Sequence, residues 1–187
     1  MNPRKFLLGA AALTLLAAVT TSVALAAGSR SSSVTTIRAV TKPVVMVPNR
    51  YVQDGLRWDK DVYTVQSGAT IRIVNMAAGE GPHTFTVVRK SDMPRNGAQA
   101  VNCRICNVLA KAHGANPNSD APPKFPFLEN GVGQATPPSV DKPGDSGITG
   151  KGKKGESITL TVTAAPGSKL SFMCLIHPWM QAELDVS

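Results

Sequence analysis

Near the C-terminal end of this chain, Cys174, His177 and Met180 place a thiol, an imidazole and a thioether within one seven-residue run, Cys174-Leu175-Ile176-His177-Pro178-Trp179-Met180. Thiolate and thioether sulfurs are soft donors, and imidazole is borderline. Two His, one Cys and a weak axial Met make up the ligand set of a type 1, blue-copper site, whose chemistry is one-electron transfer. The chain holds three His, so the second imidazole has few sources. His83, in Gly81-Pro82-His83-Thr84-Phe85, opens a strand-like run, whereas His113 closes a helical one. His83 is therefore the candidate fourth ligand beside Cys174, His177 and Met180. The bland alternative is a buried free thiol, a surface His and a core Met, with His83 simply exposed after a Gly-Pro turn. The spacing, the strand context and the upstream His agree on the metal.

A metal that changes oxidation state transfers electrons fast when its surroundings move little, so the ligands need a stiff scaffold. The residues around them read as β-structure. Asp61 to Val65, Ala69 to Asn75, His83 to Val88, Ser157 to Val162, Leu170 to Cys174 and Gln181 to Val186 are short strand-like runs, several of them alternating, with Gly and Pro turns between. Pro43 to Val47 is a further short apolar run, and Trp58 and Tyr63 are assigned to the core. Such a series predicts an all-β sandwich or Greek-key barrel. Cys174 then ends one strand, and His177 and Met180 occupy the loop before the last. Pro178 stiffens that loop by fixing its own φ. His83, distant in sequence, ties the loop to the body of the fold.

Residues 91–155 interrupt the pattern. They carry few strand signals and many Gly, Pro, Asn and Asp, and read as a loop-rich insertion with one helix, Ala100 to His113, closed by Gly114. Cys103 and Cys106 lie inside it. They form a disulfide, or a second metal site with His113, or two free thiols; an exported protein favours the disulfide. On a continuous helix Cys103 and His113 would stand about 15 Å apart, so joint ligation would require a break.

Arg4 and Lys5 precede an apolar run from Phe6, and Ala24-Leu25-Ala26 fits a peptidase cleavage pattern. Residues 1–26 therefore read as a signal peptide, residues 27–36 as a flexible tether, and residues 37–187 as one domain. An uncleaved membrane anchor is the rival reading, and the only route to a membrane. Export places the protein in the periplasm, at the cell surface or in the medium. It also leaves Cys174 as the odd thiol if Cys103 and Cys106 pair. The formal charge of +8 becomes +6 without the leader, which favours encounter with an acidic partner. Scattered basic residues and 5% aromatics do not suggest nucleic acid. Lys151, Lys153 and Lys154 read as a solvated loop, with docking of an acidic partner the minority view.

The run from Cys174 to Met180 resembles the C-terminal ligand loop of cupredoxins, the plastocyanin/azurin family, and its spacing, with Pro and an aromatic after His177, looks most like amicyanin. Gly68 to Asn75 followed by His83-Thr84-Phe85-Thr86-Val87 is similar to the family's strand leading to its first His ligand. The resemblance covers residues 37–90 and 155–187. It implies a Greek-key β-sandwich, one copper held by His83, Cys174, His177 and Met180, and single-electron shuttling between redox partner proteins. It also implies that the His177 edge, flanked by Trp179, is an electron port. Two departures stand out. Thr84 occupies the place where the family often has Asn steadying the ligand loop, a bond that a hydroxyl can take over. The insertion of residues 91–155 is longer than in minimal members.

Three functions compete. An electron carrier needs a single preorganised copper and no small-molecule substrate. A protein that sequesters or delivers copper would draw on Cys103, Cys106 and His113 as an additional site. A copper enzyme needs an open coordination position or a second cluster, for which three His are too few. The axial Met and the Pro-containing loop favour the carrier.

Overall fold

The computed structural model describes residues 33–77, 79–116 and 121–187. The signal peptide assigned to residues 1–26 lies outside the described residues. In chain order the strands are β1 (Val34–Thr41), β2 (Val45–Val47), β3 (Tyr51–Gln53), β4 (Leu56–Trp58), β5 (Val62–Val65), β6 (Thr70–Asn75) and β7 (Thr84–Val87). Helices α1 (Gly97–Val101) and α2 (Arg104–Ala112) follow. The remaining strands are β8 (Phe127–Glu129), β9 (Val132–Gln134), β10 (Ser139–Val140), β11 (Ser146–Ile148), β12 (Ser157–Val162), β13 (Lys169–Met173) and β14 (Gln181–Val186).

Two sheets carry the domain. One runs β10-β12-β6-β1-β4, the other β5-β14-β13-β7-β11-β8-β9, and β2 and β3 form a separate hairpin. This is the all-β sandwich that the alternating runs predict. Period-two alternation sends one set of side chains from each sheet inward. Ile37, Ile71, Ile73, Leu160 and Val162 come from the first sheet, and Tyr63, Val65, Phe85, Val87, Phe172 and Leu184 from the second, in one buried cluster. Trp58 and Tyr63 are core residues, as expected.

The tether stops short of its expected limit. Strand β1 begins at Val34, because Val34 and Thr35 pair in parallel with Thr70 and Ile71. Residues 91–155 are largely loop, as expected, but also supply the short strands β8, β9 and β11 to the seven-stranded sheet and β10 to the other. Each of these strands has only two or three residues, too few to show an alternation. The expected single helix is also two. Asn102 leaves helical geometry at φ −103° and ψ 39°, and Cys103 starts α2 as its N-cap, its sulfur accepting the Cys106 N–H at 3.2 Å.

Helix α2 covers the outer face of the second sheet. Cys103, Cys106 and Leu109 pack there with Val88, Leu128, Met173 and Leu175. All four residues of β7 are therefore buried: Phe85 and Val87 face the inner core, and Thr84 and Thr86 lie on the alternate face.

Candidate metal centre

The site forms where strand ends meet at one edge of the sandwich. Strand β13 ends at Met173, and the alternation that sends Phe172 inward does the same for Cys174, which is fully buried. The following loop closes on itself: the Met180 N–H donates to the His177 carbonyl at 2.9 Å and the Cys174 N–H to the Met180 carbonyl at 3.0 Å. The Trp58 indole N–H also donates to the Met180 carbonyl, at 3.1 Å, from across the core. A tight loop with both ends tied has little room to relax.

His83 is fixed from its other side. Its N–H donates to Thr149 Oγ1 at 3.0 Å, and its carbonyl accepts the Thr149 N–H at 2.9 Å. Buried Asn75 holds the preceding turn, donating to the Gly81 carbonyl at 3.0 Å and accepting the Ala77 N–H at 3.0 Å. Gly152 lies so close that a Cβ there would stand 2.5 Å from the Gly81 carbonyl carbon. Thr149 belongs to no recognisable motif, Asn75 reads from sequence only as the end of a strand, and Trp58 only as core.

These supports bring three of the four sequence-identified ligands together. The donor atoms of His83, Cys174 and His177 all lie within 4.8 Å of one another. Cys174 Sγ is 3.9 Å from His83 Nδ1 and 3.7 Å from His177 Nδ1. First-row metal bonds of about 2.3 Å to sulfur and 2.0 Å to nitrogen separate the two donors by about 3.5 Å at a tetrahedral angle and about 3.7 Å at a trigonal one. The observed spacing is on the trigonal side, which suits a His₂Cys copper site. Met180 is fully buried in the same core cluster as Cys174.

The two buried histidines make a useful contrast. His113 spends both ring nitrogens, Nδ1 against the Phe125 carbonyl at 2.7 Å and Nε2 against Ser146 Oγ at 2.9 Å. It is therefore structural, and with Cys103 and Cys106 joined in a disulfide the second metal site considered from sequence is absent. His83 is equally buried, yet its Nε2 has no hydrogen-bond partner and its Nδ1 lies 3.9 Å from the Cys174 sulfur. Its ring, unlike that of His113, is not used up in structural hydrogen bonds, which is the arrangement a metal ligand needs.

Electrostatics prepare the donors unequally. Burial, helped by the neighbouring His177, pushes His83 down to about 4. Burial also lowers His177, against the pull of Glu80 and Asp54. Both imidazoles are thus neutral at pH 7, with lone pairs free. Burial pushes the Cys174 thiol up, opposed by the N–H groups of Thr84, His177 and Ile176 and by the Thr84 hydroxyl. Without metal the thiol keeps its proton. Metal binding between pH 6.5 and 9.0, the ordinary values of the two group types, therefore releases one proton, and affinity rises about tenfold per pH unit. Calorimetric titration in buffers of differing ionisation enthalpy reads this directly; zero protons released would mean a preformed thiolate.

The ligands are packed rather than hollowed out. A cleft of about 810 Å³ is lined by Arg89, Arg95 and Arg104 among others and is not lined by any of the four candidate ligands. Beside the ligand loop lies a smaller apolar hollow of about 420 Å³, walled by Ala100, Val101, Ile176, Pro178 and Trp179. Trp179 is half-exposed, its ring 5.6 Å from that of His177.

No family model matches the chain, and no curated protein does. Solved structures match at low identity. Reduced auracyanin from Roseiflexus castenholzii is 19% identical over 83% of this chain and 98% of that one, with a TM-score of 0.40. A purple cupredoxin from Nitrosopumilus maritimus is 10% identical over 82% and 99%, with a TM-score of 0.41. A reduced, Cu(I) form of a mutant amicyanin is 12% identical over 82% of each chain, with a TM-score of 0.40. Likeness at this level carries no weight beside the side chains themselves; His83, Cys174 and His177 resemble a type 1 copper ligand set, and the solved structures named here are cupredoxins.

Proposed function

We propose that this protein is an exported electron carrier in which His83, Cys174, His177 and Met180 would hold one copper, whose Cu(I)/Cu(II) couple would supply single-electron transfer between redox partners. The observation that carries the reading is the preformed His₂Cys cluster, with His83 and Cys174 buried and His177 at its partly exposed edge, and with Sγ–N distances of 3.7 and 3.9 Å. When bound, copper supplies the one-electron couple. The chain supplies rigidity, exclusion of water and a path to the surface. His177 is the partly exposed ligand, and half-exposed Ile176 and Trp179 flank it. This apolar patch is where a redox partner docks, the basic net charge favouring an acidic one.

The alternative, sequestration or delivery of copper, needs additional donors that exchange easily. Cys103 and Cys106 are joined, and His113 is fully bonded, so nothing favours that reading. Among the described residues no helix is long and apolar enough to cross a membrane; export rests on the leader.

The test is a titration of the mature protein with Cu(II), followed by visible absorption and EPR. An intense orange-red band with narrow copper hyperfine splitting supports the carrier. A weak, broad spectrum, or reduction of copper with loss of the thiol, overturns it. Met180 has its own test. Met180→Gln lowers the reduction potential, because an oxygen donor favours Cu(II) over a thioether. An unchanged potential would remove Met180 from the ligand set.

A further inference from the structure

The cleft of about 810 Å³ gathers three guanidinium groups, those of Arg89, Arg95 and Arg104, against a single carboxylate, that of Asp92. Met93, Ile105 and Val108 are among its apolar lining. The three arginines are exposed, and among the described residues none of them makes an ion pair. The cleft therefore carries a surplus of positive charge that the chain itself leaves unanswered.

This cleft is continuous with the surface beside the ligand loop. A second hollow, about 560 Å³, shares Pro94 and Arg95 with it and reaches Trp179. The apolar hollow at the ligand loop shares Cys103 with the cleft, and Gly97, Ala100 and Trp179 with the second hollow. Together they form one depression around α1. Helix α1 buries none of its own side chains and leaves Val101 85% exposed, so it offers an apolar face with nothing upon it. The charge is confined to one end. In the second hollow Arg57 and Arg95 are equalled in number by Asp54 and Asp61, and the hollow at the ligand loop is lined by no charged residue.

Hydrogen bonds fasten this surface to the ligand loop. A side-chain amide nitrogen has two N–H donors, and Gln181 Nε2 reaches two carbonyls, those of Pro94 and Pro178, each at 2.8 Å. Pro94 lines the cleft, and Pro178 directly follows the ligand His177. Asn96 Oδ1 accepts the Gln99 N–H at 3.0 Å, and Gln99 Oε1 accepts the Arg95 N–H at 2.7 Å. The disulfide between Cys103 and Cys106 pins the start of α2. A surface held in this way loses little freedom when a partner settles on it.

We propose that the arginine-lined cleft docks an acidic segment of the redox partner, and that α1 and the Gln181 bridge then place the partner over the His177 and Trp179 edge. The inference rests on the copper reading above and names the surface and the chemistry by which the partner is recognised. Carboxylates answer guanidinium groups in charge and in paired geometry. An apolar face with charge at its margin suits a protein surface, and the charge speeds and orients the encounter. Lys151, Lys153 and Lys154 are the weaker candidate. Their loop turns the N–H groups of Lys151, Gly152 and Lys153 onto the Glu156 carboxylate, whose charge offsets part of theirs.

The probe is a hexaglutamate peptide, titrated into the reduced, copper-loaded protein and followed by NMR of the backbone amides. Shifts are expected at residues 89–108 and 176–179. Arg89→Gln, Arg95→Gln and Arg104→Gln together weaken binding about tenfold or more. Lys151→Gln, Lys153→Gln and Lys154→Gln together remove the same net charge and leave binding unchanged. Stopped-flow oxidation by ferricyanide, an anionic one-electron acceptor that becomes ferrocyanide as Cu(I) becomes Cu(II), reads the consequence for electron transfer. The rate rises as salt falls in the wild type and the lysine variant, and the arginine variant loses about tenfold of it at low salt, with the thiolate band unchanged in all three. All six side chains are exposed, so the variants fold, and the footprint on wild type decides even without them. Shifts that lie elsewhere, or equal losses in the two variants, would overturn the docking and leave the copper reading intact. Inorganic phosphate giving the same footprint at the same concentration would also overturn it, making the cleft a small-anion site. A protein without the thiolate band would overturn both.

Discussion

Cys174→Ser eliminates the intense visible absorption of the copper-loaded protein while the chain still folds. The band arises from the thiolate, and a serine oxygen at this fully buried position gives neither that electronic transition nor a soft donor. The fold tolerates the change because the environment of Sγ is already polar. The Thr84 N–H, 3.3 Å from the sulfur, is a donor that an oxygen accepts as well as sulfur does. The cost to the metal-free protein is about 1 kcal/mol, typical of a point substitution. Far-ultraviolet circular dichroism and urea unfolding check the fold, and visible absorption checks the metal. A serine variant that remained blue would remove Cys174 from the site.

Phe172→Ala is expected to be the most destabilising single truncation in the core. Phe172 is fully buried, and its ring centroid lies 4.5 Å from Phe85, 5.6 Å from Trp58 and 6.0 Å from Tyr63. Three large rings facing one hole cannot collapse into it, so the loss is about 3–5 kcal/mol, a large part of the roughly 5–15 kcal/mol that usually holds a domain together. Chemical denaturation of the metal-free protein measures it, and a loss below about 1 kcal/mol would contradict the packing described. The damage reaches the metal as well. Trp58 leans on Phe172 and holds the Met180 carbonyl, so a loosened Trp58 broadens the EPR signal of the loaded variant.

What the sequence reveals here depends on the length over which a pattern persists. The ligand loop declares itself because three unusual side chains fall within seven residues. Strands β6, β12 and β14 are long enough to show alternation. Strands β8 to β11 are not, and their membership of the sheets is decided by partners far along the chain: Ser146 pairs with Thr86, and Gly147 with Phe127. The break between α1 and α2 turns on the backbone of one residue, Asn102. The supports of His83 are hidden for the same reason. Thr149, Asn75 and Trp58 are ordinary residue types whose roles come from where the fold puts them. Thr84 is intermediate. That its hydroxyl could steady the ligand loop is legible, and the Leu175 N–H does donate to it at 2.7 Å; that it also accepts the Thr86 hydroxyl at 3.0 Å is not.

The bond from Trp58 to the Met180 carbonyl spans 122 residues of chain, and β14 pairs with β5 across a similar interval. Contacts of such long range make folding slow, because much loop entropy is lost before they form. The ligand loop cannot take its final shape until β13 and β14 have docked, so the metal meets a completed site only at the end of the folding reaction. Copper therefore acts on the way out rather than the way in: it leaves the rate of folding unchanged and slows unfolding, so that a loaded molecule persists by the height of its exit barrier.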